Sequence, residues 1–478
     1  MNLNLTRFSI VGLHGKFDID IPIYDNRLIL IGVNGLGKTT VINFIYFVLS
    51  DQWFRLLEFE FFGIELTLDG EEIVITREDI QGKVRNQRRL QKMIAMYSGR
   101  SAYPRSLLAK IISHPLFRQL RNPKELPHDI VLRAISKDVE LPVVALRRVV
   151  ADFPDHFQEE LFPDLSEPEC FGKITTILEG AGIHQVIYLP TYRRIEQDLK
   201  AIFPNASEDE IRKLGVQPES VVKNRSRGYV ELVQFGMQDV ERKLGNELET
   251  IQKRTREQLS SLTASYLQDI IRSRADEINP ESIQAMTDVV VESVLSRVEE
   301  NTLSNDDKKE VQSAIRRIRT GNTTSARDQY LTYFFSRLLG IYTDLYSSEV
   351  AIRRLVSTCN KYFVGKKLRY DDVNFASHVV DRDGTPLNWR VLSSGEKQVA
   401  SLFTHLYLSQ ETSQIVLIDE PELSLSVRWQ KNLLPDISNS ENCTLLIAVT
   451  HSPFIYANYL DKYAVDLSKL VKPHQFAS

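Results

Sequence analysis

The sequence predicts an α/β fold whose two halves lie at opposite ends of the chain, separated by large, mainly helical insertions. Three observations predict it. Residues 28–31 read as a strand, run into a glycine-rich loop at 32–37, and are followed by residues 41–49, which are apolar on nearly every face, as a helix packed inside an α/β sheet would be. Residues 415–419 and 445–449 are short apolar runs of the length of buried strands. Between the two halves, Val233, Met237, Val240, Leu244, Leu248 and Ile251 recur at steps of three and four, which places them on one face of a long helix.

Composition sets the outer limits. The chain has 478 residues, 42% hydrophobic and 26% charged, with a net charge of -4, which is ordinary for a water-soluble protein with ample core. No apolar run approaches the ~20 residues of a membrane span, and the N-terminus has neither the basic nor the apolar region of a signal peptide. A cytoplasmic protein without a membrane partner is expected. The three cysteines, Cys170, Cys359 and Cys443, are odd in number and show no metal-ligand spacing, so buried thiols are expected.

Taken in order, residues 1–82 form the N-terminal part of the α/β head. They include a hairpin in which Ile64, Leu66 and Leu68 alternate with polar residues before the Asp69-Gly70 turn and the return at 73–75. Residues 83–185 form a basic, mainly helical insertion interrupted by prolines at 104, 115, 123, 127 and 142, and residues 186–199 a strand and linker back to the head. Residues 200–358 form a second helical insertion, with helices expected near 281–300, 307–319 and 327–358. This insertion is either a bundle packed on itself or a coiled-coil-like arm or dimer surface. Residues 359–478 return to the head, with a second hairpin expected at Asp383-Gly384.

The loop after the first strand is where chemistry first becomes legible. Gly32-Val-Asn34-Gly35-Leu-Gly37-Lys38-Thr39-Thr40 fits the P-loop pattern between a strand and a helix. Its glycines let backbone N–H groups curl around phosphates, Lys38 reaches the β- and γ-phosphates, and Thr39 places a hydroxyl on Mg²⁺. ATP and Mg²⁺ are therefore the expected cofactors. Asp419 and Glu420 close the 415–419 strand, where the first carboxylate can hold the metal through water and the second can polarise the attacking water. His451 ends the next strand, 31 residues after Glu420, in position to contact a γ-phosphate. Before both lies Leu392-Ser393-Ser394-Gly395-Glu396-Lys-Gln398. Alone, this segment reads equally well as an N-cap with its capping Glu or as a helix N-terminus presenting Ser393, Ser394, Gly395 and Glu396 to a phosphate.

Together the segments GVNGLGKTT, YLPTYRRIE, LSSGEKQ, VLIDEPELSLS and THSP resemble the ABC-type ATPases of bacterial anti-phage systems such as PARIS, which are related to the ATPase part of the OLD nucleases. The resemblance covers the head only. It implies an ABC-type P-loop ATPase head split by insertions. The signature at 392–398 would complete the ATP site of a partner copy, giving a homodimer or higher homo-oligomer joined through its ATP sites. It also implies a separate Toprim-class nuclease toxin, held by the ATPase and released on sensing a phage anti-restriction protein. OLD nucleases carry a nuclease domain after the ATPase; only 27 residues follow His451 here, so that activity is expected on another chain. The glutamine loop of the class has no clear counterpart. Arg193 and Arg194 stand in a linking position, where they would either sense phosphate or serve as structural ion-pairing residues.

Two other functions compete. A transporter subunit is disfavoured by the roughly 350 residues between P-loop and signature. An SMC-like or RecF-like DNA-repair ATPase shares the split head, although residues 200–358 are short for a long coiled-coil arm. The remaining feature is charge: residues 77–148 hold 16 Lys or Arg against 6 Asp or Glu, followed by an acidic stretch from 152 to 169. That stretch is either a solvated face or a surface for an acidic phage trigger protein or nucleic acid, with Arg85, Arg88, Arg89 and Lys92 at its centre.

Overall fold

The computed structural model describes residues 3–98, 107, 110–111, 114, 128–139, 141–151, 168–190, 228–231, 237–271, 287–298, 303–320, 325–409 and 413–474. Its centre is a parallel sheet assembled from both ends of the chain. The strands β1 (Leu5–Leu13), β2 (Phe17–Pro22), β3 (Arg27–Ile31), β4 (Gly63–Leu68), β5 (Glu71–Thr76), β6 (Ile183–Leu189) and β7 (Gly228–Glu231) come from the first half. The second half adds β8 (Lys366–Asp371), β9 (Ala376–Asp381), β10 (Pro386–Leu387), β11 (Ser413–Asp419), β12 (Cys443–Val449), β13 (Ala464–Asp466) and β14 (Val471–Pro473). The parallel sheet runs β13-β3-β12-β11-β6-β7, and an antiparallel one runs β14-β2-β1-β4-β5. Asp69 and Gly70 both adopt positive φ (51° and 84°) in the β4–β5 hairpin, the geometry that an Asp-Gly pair supplies at a tight turn.

Nine helices are labelled here: α1 (Lys38–Leu49), α2 (Arg77–Ser98), α3 (Glu169–Gly180), α4 (Gln238–Ile271), α5 (Asp288–Ser296), α6 (Asn305–Arg319), α7 (Ala326–Tyr362), α8 (Ser394–Tyr407) and α9 (Val427–Ser438). Alternation along the buried strands decides the layers. Leu28, Leu30, Ile415, Leu417, Leu445, Ile447 and Val449 face a core shared with α1 and the antiparallel sheet. Their neighbours Ile29, Val416, Ile418, Leu446 and Ala448 face a second core formed with α4, α7, α8 and α9. A parallel sheet covered on both faces requires this continuous apolar pattern. Helix α1 is buried on most sides because it lies between the two sheets.

The insertions differ in their relation to the head. Phe171, Ile174 and Leu178 of α3 join the α1 core, so the span 83–185 ends inside the head, with β6 already beginning at Ile183. In the second insertion, Met237, Val240, Leu244, Leu248 and Ile251 are buried against α7 and the head; Val233 lies outside the described residues. Helices α5 and α6 pack with α4 and α7 around Leu262, Val291, Leu295, Ile315, Phe335 and Leu338. Arg297, at the end of α5, donates to both oxygens of the fully buried Glu349 (2.7 and 3.0 Å) and to Asp372 (2.7 Å), and Arg353 bonds the same two carboxylates. This network joins the helical region to the β8–β9 turn. Among the described residues no helix is long and apolar enough to cross a membrane.

Candidate nucleotide site

Strand β3 ends at Ile31 between β13 and β12, so the loop that follows leaves the middle of the sheet. Gly32, Gly35 and Gly37 take φ values of 149°, 84° and 91°, in a region that side chains with a Cβ disfavour. That curvature turns successive backbone N–H groups inward, as an anion-binding nest requires. Lys38 opens α1 and folds back so that its Nζ donates to the carbonyls of Gly32 and Val33, each at 2.9 Å. Burial lowers its pKa, against the opposing pull of Glu420, Asp419, Glu422 and Asp466. Helix α1 has no acidic residue in its first turn, leaving its positive end for an anion. Asn34 and Gly35 are exposed, and Thr39 and Thr40 are half-buried in the first helical turn.

The carboxylates arrive from the neighbouring strands. Asp419 is fully buried at the end of β11, paired in register with Val449 of β12. Glu420 has left-handed backbone geometry (φ 48°, ψ 60°), and its N–H donates to Val449 O at 2.8 Å. Such a conformation is costly for a residue with a Cβ and persists where the surroundings impose it. The Glu420 carboxylate Oε1 stands 3.3 Å from Nε2 of His451. Because β12 lies between β3 and β11, its end brings His451 between the loop strand and the carboxylate strand. The donor set suits Mg²⁺, which takes hard oxygen ligands and relies on substrate phosphates and water for the rest: Thr39 offers a hydroxyl and Asp419 a carboxylate. The described residues contain no group of three or more His, Cys, Asp or Glu that could by itself hold a metal ion.

The signature segment forms the capping box that its sequence allows. Ser393 caps α8, accepting from Glu396 N at 3.4 Å while its own N–H donates to Glu396 Oε2 at 2.7 Å. The capping box leaves Ser393 and Ser394 exposed. Gly395 and Glu396 are buried. Glu396 also accepts from Val364 N and Lys366 Nζ, each at 3.0 Å, so its side chain holds the helix start and is not presented to a second molecule. A Cβ on Gly395 would stand 2.3 Å from Ser424 O, which places the signature against the turn that follows Glu420. Around the two serines, Val364, Val391, Leu423 and Val427 are exposed apolar side chains (65%, 48%, 57% and 47%).

Arg193 and Arg194 lie outside the described residues. The strand leading to them, β6, ends near α1: Tyr188 donates its hydroxyl to Asn43 Oδ1 at 2.7 Å and stacks on Tyr46 at 4.4 Å. Three further residues at the site are given no role by the sequence. Asp466, at the end of β13, lies beside Gly32. Glu422 accepts from Thr450 Oγ1 (2.8 Å), His451 N (2.7 Å) and Ser452 N (3.1 Å). Gln430 accepts from Ser452 Oγ at 2.6 Å.

Residues 225–457 match a family model described as "AAA domain, putative AbiEii toxin, Type IV TA system". The match takes in the carboxylate strand, the signature and His451, and begins after the P-loop. No curated protein matches the chain. Among solved structures, a Smc head domain with an extended coiled coil, bound to the C-terminal domain of ScpA, from Pyrococcus furiosus, is 11% identical with a TM-score of 0.31. That alignment covers 95% of this chain and 91% of that one. A Smc head domain with a coiled coil and joint from Pyrococcus yayanosii is 11% identical with a TM-score of 0.29, covering 95% and 93%. Both superpositions are too loose for residue-by-residue correspondence. With β3, its glycine loop and α1 on one side and the Asp419-Glu420 strand on the other, and with a family match over residues 225–457, the chain has the fold of a P-loop ATPase carrying helical insertions.

Proposed function

We propose that this chain is an ABC-type ATPase of an anti-phage defence system, a homodimer or higher oligomer joined through its ATP sites that restrains a separate Toprim-class nuclease toxin, as AriA of the PARIS system does. The observation that carries the catalytic part is the meeting of Lys38, Glu420 and His451 at the ends of three adjacent parallel strands and their loops. Lys38 and the loop N–H groups bind and orient the phosphates. Glu420, held by its backbone bond to Val449, orients the attacking water and takes up its proton. His451 contacts the γ-phosphate. Thr39 and Asp419 would hold Mg²⁺, which when bound neutralises phosphate charge.

Exposed Ser393 and Ser394 within an apolar rim support the in-trans role of the signature, because apolar side chains around polar recognition groups mark an interface. The family description, with its putative toxin and toxin–antitoxin wording, supports the defence context. On this reading the basic stretch, with Arg85 and Arg88 exposed on α2, receives the acidic trigger protein. The second reading, an SMC-like or RecF-like repair ATPase, is favoured by the packing of the long helices α4 and α7 on one another.

Lys38→Ala should abolish ATP binding. Glu420→Gln should keep binding but lower the hydrolysis rate at least about a hundredfold and trap an ATP-bound dimer visible by size-exclusion chromatography. Parental ATPase rates in both variants would sink the site. Co-expression with the neighbouring gene separates the biological readings: a stable complex with a nuclease toxin is expected, whereas tight duplex-DNA binding at physiological salt would favour the repair reading.

A further inference from the structure

We propose that Glu422 is a positioning residue that holds His451 in register with Glu420 and ties that register to the signature offered by the same chain. The proposal rests on the ATPase reading above. Three donors from one short segment, the Thr450 hydroxyl and the backbone N–H groups of His451 and Ser452, converge on the Glu422 carboxylate. Thr450 is itself fully buried, and its N–H donates to Leu30 O of β3, one residue before the end of the strand that leads into the P-loop. The segment is fastened a second time by Ser452 Oγ to Gln430, whose Nε2 donates to Leu425 O at 2.9 Å. Residues 450–452 are therefore held to residues 422–425 at two points, and they cannot shift without the turn.

The same turn makes the contact with the signature, since Ser424 O fills the space where a Cβ on Gly395 would be. A change in His451 on loss of the γ-phosphate would be passed through Glu422 to the turn, and from the turn to the start of α8. Glu422 acts as an acceptor in this arrangement, neither as a base nor as a metal ligand. That distinguishes it from the two carboxylates before it. A glutamine can keep the oxygen that serves His451 N and Ser452 N, while the Thr450 hydroxyl rotates to accept from the new amide.

The test is steady-state ATPase kinetics on the full chain with Glu422→Ala, Glu422→Gln, His451→Ala and the Glu422→Ala/His451→Ala pair, alongside affinity for a fluorescent ATP analogue. Glu422→Ala is expected to lower kcat about tenfold or more with analogue affinity within about twofold of the parent. Glu422→Gln should recover most of that loss. In the His451→Ala background, Glu422→Ala should cost less than about twofold further, because the two residues act as one unit. A glutamine variant as slow as the alanine variant would show that the charge matters and overturn the positioning role. So would equal losses from Glu422→Ala in both backgrounds, or parental kcat in Glu422→Ala. A parent chain that hydrolyses no ATP, with Lys38→Ala binding the analogue as the parent does, would overturn the ATPase reading and the inference with it.

Discussion

Single residues at this site are chosen for what the backbone around them permits. Glu420 occupies a left-handed conformation where glycine would be easier, because only a side chain there reaches the histidine. Gly395 is the reverse case: the close approach of Ser424 O leaves no room for a Cβ. Gly395→Ala should therefore destabilise the fold by about 1–3 kcal/mol through overpacking, read as a lower denaturation midpoint, and it should slow ATP turnover as well. A parental midpoint would show that the turn yields freely. Position was legible in the sequence for Lys38, Asp419 and Glu420, because a phosphate loop and a carboxylate-ended strand are local patterns. The roles of Glu422, Gln430 and Asp466 were not, since each depends on a partner supplied by another strand.

At the scale of elements, α8 shows how a helix start is fastened. Burial pushes the Glu396 carboxyl upward, but the N–H groups of Ser393 and Val364, with Lys366 and the Ser393 hydroxyl, outweigh it and hold the group below its ordinary range. A carboxyl lowered on folding stabilises the native state fully above its unfolded value of about 4.3 and loses that contribution as pH falls through the folded value. Melting temperature should thus drop on acidification below about pH 4, and Glu396→Gln should flatten that part of the profile while lowering the neutral-pH value. An identical acid profile in the variant would place the sensitive group elsewhere. Periodicity made α4 and the strands readable. It could not assign α3 to the head, because an apolar face looks the same whether it covers an insertion or a sheet. Nor did any sequence pattern announce the Arg297–Glu349–Asp372 network, whose members come from three separate segments.

For the whole molecule, the test of assembly is complementation. Ser393→Arg should disable the site of the partner and Lys38→Ala the site of its own chain, so each variant alone should be inactive. Mixed, they should form heterodimers with one intact composite site if the proposed assembly holds, and ATPase activity should return; no recovery would exclude the in-trans geometry. The sequence allowed the head to be recognised as split, yet it did not show how closely the two ends are interwoven. Strands β13 and β12 flank β3 in the parallel sheet, and β14 pairs with β2 in the other. A ribosome making this chain therefore releases the phosphate loop long before the strands that fix it exist. The loop strand must wait through the synthesis of both insertions. Such long-range pairing folds slowly and leaves strand edges open in the meantime. A nascent chain halted anywhere before β12 lacks the central strand between β3 and β11, so it cannot form the nucleotide site. Interrupted translation thus yields fragments that cannot enter the ATP cycle, and competence is reserved for chains completed at least through the strands that close the head.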